Sequence, residues 1–218
     1  MRITLLMALF CLWAVATLAQ TPTPTPKAAE KANVRPEPTR PGEPFEKADV
    51  ATMASKCVSL DTESGLIEIE FFPESAPESV RNFLNLVSIG AFDTTTFSRV
   101  VPGFVVQGGN VWTRTGAMTV ELASRAKRAV PDEPNKILHE RGIVSMARRD
   151  EPNTATTNFF ILVGKAEHLD GKFAAFGRVT RGMDVVDQIN KASVTDEKPD
   201  KPVRIRKASI TACLPIPN

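Results

Sequence analysis

The run Phe97-Ser98-Arg99-Val100-Val101-Pro102-Gly103-Phe104-Val105-Val106-Gln107-Gly108-Gly109 holds a short apolar stretch, 104–106, between a Pro-Gly pair and a Gly-Gly pair. Proline and glycine are the strongest local punctuation in a sequence, so the stretch reads as a short strand between turns, with Gln107 and the glycines ending it at a bulge or tight turn. Similar runs recur downstream at 143–147, 159–163, 174–179 and 203–212, each bounded by Gly, Pro or polar residues. Upstream, 57–60 and 66–72 flank a polar turn at 61–65. The second of these alternates Ile67, Ile69 and Phe71 with Glu68 and Glu70, as a half-buried strand of a hairpin should. Between these strands Pro77 opens a segment in which Val80, Phe83, Leu84 and Val87 fall at i, i+3, i+4 and i+7. Gly90 closes it, which predicts one amphipathic helix. A second helix is predicted at 183–190. Many short strands with two helices predict a closed or nearly closed antiparallel barrel whose ends the helices cover.

Outside this domain the composition changes. Residues 1–19 carry one basic residue, Arg2, then an apolar run from Ile3 to Leu18 and small residues at Thr17 and Ala19. That order predicts a secretory signal peptide cleaved after Ala19; the run is short for a membrane span and lacks a basic stop-transfer flank. Residues 20–55 hold seven of the seventeen prolines, including a Thr-Pro repeat, and few large apolar side chains. Such a stretch buries too little to offset its ordering entropy, so a disordered, semi-rigid linker is expected there. The folded domain is expected at 56–214, with a tail at 215–218. Export would place the protein in the periplasm or outside the cell, where Cys57 and Cys213 can pair; two thiols packed as small apolar residues is the alternative.

With 27 Lys+Arg against 25 Asp+Glu, the chain lacks the clustered positive charge that nucleic-acid binding draws on. Two histidines and three cysteines, with no CxxC or HExxH spacing, argue against a zinc enzyme. No heptad or long apolar edge calls for self-association, and a monomer is expected.

The opening run resembles the cyclophilin motif F-x-R-x-x-P-G-F-x-x-Q-G-G. Gly142-Ile143-Val144-Ser145-Met146-Ala147 followed by Pro152-Asn153-Thr154-Ala155-Thr156-Thr157-Asn158-Phe159-Phe160-Ile161 is similar to the family's second signature. Leu169-Asp170-Gly171-Lys172-Phe173, with Phe176-Gly177 after it, matches the L-D-G-K stretch and the strand that follows. The resemblance covers residues 57 to 213. It implies a mainly β fold, a closed eight-stranded antiparallel β-barrel capped by two α-helices, and peptidyl-prolyl cis-trans isomerase activity on proline-containing segments of exported proteins. An X-Pro amide barrier of about 20 kcal/mol makes unaided isomerisation take tens of seconds. No bond breaks in that reaction, so no cofactor is expected. Arg99 matches the family's catalytic arginine, a fixed planar donor for the prolyl nitrogen when the amide twists, and Gln107 matches the residue that braces it.

By the same resemblance Phe104, Val105, Phe160, Leu169 and Phe173 line a slot for the proline ring. Ala147 and Arg148 present the main chain that pairs with the peptide, and Asn158 stands where glutamine is commoner. His168 stands where some members carry tryptophan, which implies weak cyclosporin binding. Ser98 replaces a frequent histidine. Without the motif, Arg99 would read as solvated surface and Phe104, Phe160 and Leu169 as core. Residues 113–129 match the family poorly and are expected to form a loop with a short helix near the rim of the site, its charges facing solvent. A proline-binding module or holdase that keeps the slot but contributes little turnover is the competing function.

Overall fold

The computed structural model describes residues 42–213; the expected signal peptide at 1–19, the expected linker as far as residue 41 and the expected tail at 215–218 lie outside the described residues. Strands β1 (Lys56–Thr62) and β2 (Gly65–Phe71) form the expected hairpin, and Ile67, Ile69 and Phe71 turn inward from Glu68 and Glu70. Helix α2 (Pro77–Ser88) follows, with proline in its first turn and Val80, Phe83, Leu84 and Val87 buried. Its first N–H groups have no local cap. Glu133, distant in sequence, accepts from the N–H groups of Glu78 and Ser79 at 2.9 and 2.7 Å, and so satisfies donors that a helix start leaves open.

Strands β3 (Arg99–Val101), β4 (Val105–Gly108), β5 (Ile143–Met146), β6 (Phe159–Leu162), β7 (Ala175–Arg181) and β10 (Ile205–Ala212) complete an eight-stranded antiparallel sheet in the order β10-β1-β2-β7-β5-β6-β4-β3. The expected closed barrel does not form. The sheet is open, because no strand ladder joins β10 to β3. The chain just before β10 forms a separate hairpin, β8 (Val194–Thr195) with β9 (Lys198–Pro199). The edges meet instead at an isolated bridge, Thr96 with Arg204, flanked by backbone hydrogen bonds from Ile205 N to Thr95 O and from Phe97 N to Val203 O.

Alternation along the strands divides the apolar residues between two faces. One carries the main core, where Phe83 of α2 meets Phe71, Phe92, Phe159 and Phe176 at centroid distances of 5.0–5.6 Å. Helix α4 (Met183–Asn190) adds Val186 and Ile189 to it. The other carries a smaller cluster around Val105, Phe160, Leu162 and Leu169.

Order begins earlier than the expected 56. Phe45 packs against the core, its N–H donating to Asn85, and helix α1 (Val50–Ala54), capped by Asp49, buries Met53 completely. Segment 113–129 does contain a short helix, α3 (Val120–Arg125), but its charges do not all face solvent. Arg125 is 5% exposed, paired with Glu43 and donating to Asn82 at 2.9 Å; Arg128 also pairs with Glu43. A buried guanidinium requires such partners. Cys57 and Cys213 are joined in a disulfide, with Cα atoms 4.9 Å apart, at the β1/β10 end of the sheet. Among the described residues no helix is long and apolar enough to cross a membrane.

Candidate active site

Strand register assembles the site. Arg99 pairs with Gln107, Gln107 with Phe160, and Phe160 with Ser145. Directly opposed residues in antiparallel strands share a face, so these four form one row across β3, β4, β6 and β5. Their neighbours Val100, Val106, Phe159 and Met146 point the other way, into the main core. The consecutive phenylalanines thus divide their labour: Phe159 is wholly buried, whereas Phe160 belongs to the second cluster.

Gly109 explains how the row ends. Its φ of 84° is left-handed, and a Cβ there would stand 2.2 Å from the Thr157 carbonyl oxygen, so only glycine lets the chain after β4 pass the segment leading into β6.

Over this row lies a cavity of about 190 Å³ lined by Arg99, Gln107, Phe104, Val105, Ala147, Arg148, Phe160, His168, Leu169 and Phe173. That is smaller than a typical drug-sized pocket of roughly 300–1,000 Å³ and suits one small ring. Its walls are aromatic. Phe160 and Phe173 meet edge to face at 6.1 Å, and Phe104 lies 5.4 Å from the exposed His168 ring. Asn158 alone among the expected site residues is not in the lining; its carbonyl accepts from Ala147 N at 2.9 Å.

The cavity's polar rim is built from two arginines. The Nε of Arg99 donates to the Glu197 carboxylate at 2.7 Å, and its Nη1 to Gln107 Oε1 at a longer 3.4 Å. Arg148 was expected to contribute main chain, and its side chain does more. Its Nε pairs with Asp132 at 3.0 Å, its Nη groups donate to the carbonyls of Arg149, Asp150 and Lys172, and its Cζ lies 4.7 Å from the Phe173 ring centre. It therefore ties three loop segments to one slot wall, with a cation–π contact added.

Two further groups brace the cavity without lining it, and nothing in the sequence near the motif pointed to either. Asn190 of α4 accepts from Gly103 N at 2.8 Å and donates to the carbonyls of Val101 and Val105, which fixes the Pro102-Gly103 turn below Phe104. His139, buried, contacts Asp170 through Nδ1 at 3.1 Å and the Ser145 hydroxyl through Nε2 at 3.0 Å. This Ser-His-Asp chain has the connectivity of a nucleophilic triad, but Ser145 is fully buried and out of reach of any substrate. It works as a tie between β5 and the loop carrying Leu169 and Phe173. Burial pushes His139 below its ordinary value, against the opposing pull of Asp170.

The family model for "Cyclophilin type peptidyl-prolyl cis-trans isomerase/CLD" matches residues 57–210, which span both the arginine row and the cavity walls. The chain belongs to the cyclophilin-type peptidyl-prolyl cis-trans isomerases. Peptidyl-prolyl isomerase A of Dickeya dadantii is 35% identical over 182 residues, 76% of this chain and 90% of that protein. The isomerase CYP23 of Arabidopsis thaliana is 36% identical over 146 residues, 66% of this chain and 65% of that protein. Among solved structures, a cyclophilin-type isomerase of Cryptosporidium parvum superposes with a TM-score of 0.64 at 26% identity, over 73% of this chain and 99% of that one. A second structure of that parasite protein was determined in the presence of the dipeptide Ala-Pro. Isomerisation of prolyl peptide bonds is the activity that this cyclophilin shares with its relatives.

Proposed function

We propose that this cyclophilin accelerates Xaa-Pro isomerisation in exported polypeptides by donating a hydrogen bond from Arg99 to the prolyl nitrogen while the proline ring sits in the cavity of Phe104, Phe160, Leu169 and Phe173. One observation carries the reading: register places Arg99, Gln107 and Phe160 in a single row beneath that cavity. In the planar amide the nitrogen lone pair is delocalised and accepts poorly. As the bond twists, the lone pair localises, and a donor already in place binds the twisted state more tightly than either ground state. An apolar slot anchors the ring while the amide rotates.

The test is relaxation of a short Xaa-Pro peptide with purified protein beside Arg99→Ala and Arg99→Lys variants. Loss of about a hundredfold in kcat/KM for Arg99→Ala, as for removal of one transition-state donor, is expected with the fold intact. Full activity in that variant would end the arginine reading. Ser98 and Asn158, which stand where histidine and glutamine are commoner in the motif, favour one competitor, a proline-binding module with little turnover. It predicts peptide binding without acceleration.

Export is the other part of the proposal. It rests on the leader-like residues 1–19 and on the Cys57–Cys213 bond, a type that persists in oxidising compartments. Mature chains beginning at Gln20 should be recovered from periplasm or medium; recovery only of cytoplasmic chains retaining Met1 would refute export.

A further inference from the structure

We infer that Glu197 is a positioning residue for the isomerase reaction: its carboxylate holds Arg99 by the Nε edge and leaves the Nη nitrogens to Gln107 and the substrate. The inference rests on the reading of Arg99 as the donor to the prolyl nitrogen.

Glu197 reaches Arg99 from across 98 residues of chain. It sits in the turn of the β8–β9 hairpin, whose register pairs Val194 with Pro199 and Thr195 with Lys198. Asp196 and Glu197 are the two central residues, and both are left-handed, with φ of 50° and 62°. Two-residue hairpin turns of this kind favour Asn or Asp followed by Gly. Asp196 fits its position. Glu197 stands where glycine is preferred, and a residue with a Cβ is strained there.

The hairpin is stiffened by Thr195 Oγ1 donating to Asp200 at 3.0 Å and by Asp200 N donating to Ser193 O at 2.9 Å. It is docked on the free edge of β3, where Val100 N donates to the Glu197 carbonyl at 2.8 Å. Main chain and side chain of Glu197 therefore grip consecutive residues of β3, Val100 and Arg99.

The ion pair does not account for that strain through stability. Arg99 and Glu197 side chains are 39% and 50% exposed, and pairs so open to solvent contribute little to folding. What the pair does supply is orientation. A guanidinium presents its donors in one rigid plane, so holding one edge aims the other. A long side chain at a cavity rim otherwise samples many rotamers, and restricting it in advance lowers the entropy lost on reaching the transition state.

The test compares the parent with Glu197→Gly, Glu197→Gln, Arg99→Ala and the double variant Arg99→Ala/Glu197→Gly. Peptide exchange gives kcat and KM, thermal unfolding gives the midpoint, and ¹H–¹⁵N spectra give the Arg99 Nε–H resonance. Glycine suits the turn, so Glu197→Gly should be at least as stable as the parent. Its kcat should nonetheless fall about fivefold with KM within about twofold, as for a contact felt mainly in the transition state. The Arg99 Nε–H resonance should lose its hydrogen-bonded shift in that variant. Glu197→Gln, which keeps an acceptor without the charge, should fall between, and Glu197→Gly should cause no further loss in the Arg99→Ala background.

Undiminished kcat in Glu197→Gly beside an inactive Arg99→Ala would overturn the role of Glu197 alone. So would an equal loss with or without Arg99. Full activity in Arg99→Ala would instead overturn the arginine reading, and this inference with it.

Discussion

Cys57 and Cys213 are separated by 156 positions in sequence, and their Cα atoms by 4.9 Å. In the chain-entropy model a cross-link lowers the entropy of the unfolded chain by 2.1 + 1.5R ln n. A loop of this length gives about 17 cal/mol/K, or about 5 kcal/mol at 25 °C. The native state changes little without the bond, because β1 and β10 stay paired along their length, with Cys57 opposite Thr211. At about 2.1 cal/mol/K per residue the described domain unfolds with an entropy near 0.36 kcal/mol/K, so the loss corresponds to roughly 14 °C in Tm. The variant to make is Cys57→Ala/Cys213→Ala, since Cys57 is buried and alanine adds no polar group. Calorimetry and urea titration of parent and variant, with and without reductant, provide the measurement. The reduced parent should coincide with the variant, and reductant should leave the variant unmoved. A variant melting within about 3 °C of the oxidised parent would refute the loop-entropy argument.

The adjacent phenylalanines give a second test. Phe159→Ala removes a fully buried ring that touches Phe83 and Phe92 and should cost about 3–5 kcal/mol in denaturant titrations. Phe160→Ala should cost less stability and weaken proline-peptide binding more; matching effects of the two on both readouts would contradict the division of faces. The third test is pH. Burial lowers the His139 value below 6.5, with Asp170 opposing the shift and the nearby His168 adding to it. The unfolded ring therefore takes up a proton that the native ring resists. Stability should be level above the ordinary histidine range and fall as pH drops through about 6.5 toward the native value. Asp170, held below its ordinary 3.8 chiefly by the His139 backbone N–H, adds a loss in the same direction at lower pH. Urea midpoints between pH 7 and pH 5 should show the slope, and His139→Gln should flatten it; an unchanged slope in that variant would assign it elsewhere.

Local patterns carried most of the fold. The alternation in 66–72 and the i, i+3, i+4, i+7 spacing from Val80 to Val87 record burial directly, because each residue's face follows from the period of its own element. The motif residues around Arg99 were legible through their resemblance to a known family; their own neighbourhood marked only a short strand between the Pro102-Gly103 turn and the glycines after Gln107. Closure was not legible. Whether β10 meets β3 depends on the segment that leads into β10, and residues 194–199 form a hairpin of their own that bonds to β3. Arg125 was misread because its partner Glu43 lies 82 residues away, in a stretch whose proline content suggested no packing. Glu197, Asn190 and Glu133 share that property. Each is an ordinary polar residue in its own neighbourhood and gains its role only from a segment brought to it by the fold.

The two faces of the sheet have a consequence for how such a protein can change. Phe159, Ile161, Val144 and Val106 hold the domain together, while Phe160, Gln107 and Val105, interleaved with them on β4 and β6, shape what the cavity accepts. Because side chains alternate, a mutation at a cavity position need not disturb a core position one residue away. Client preference can then drift through single substitutions at every second residue while the folded state is kept by the others. A library randomised only at the alternate, cavity-facing positions should retain far more folded members than one randomised over the same number of consecutive residues.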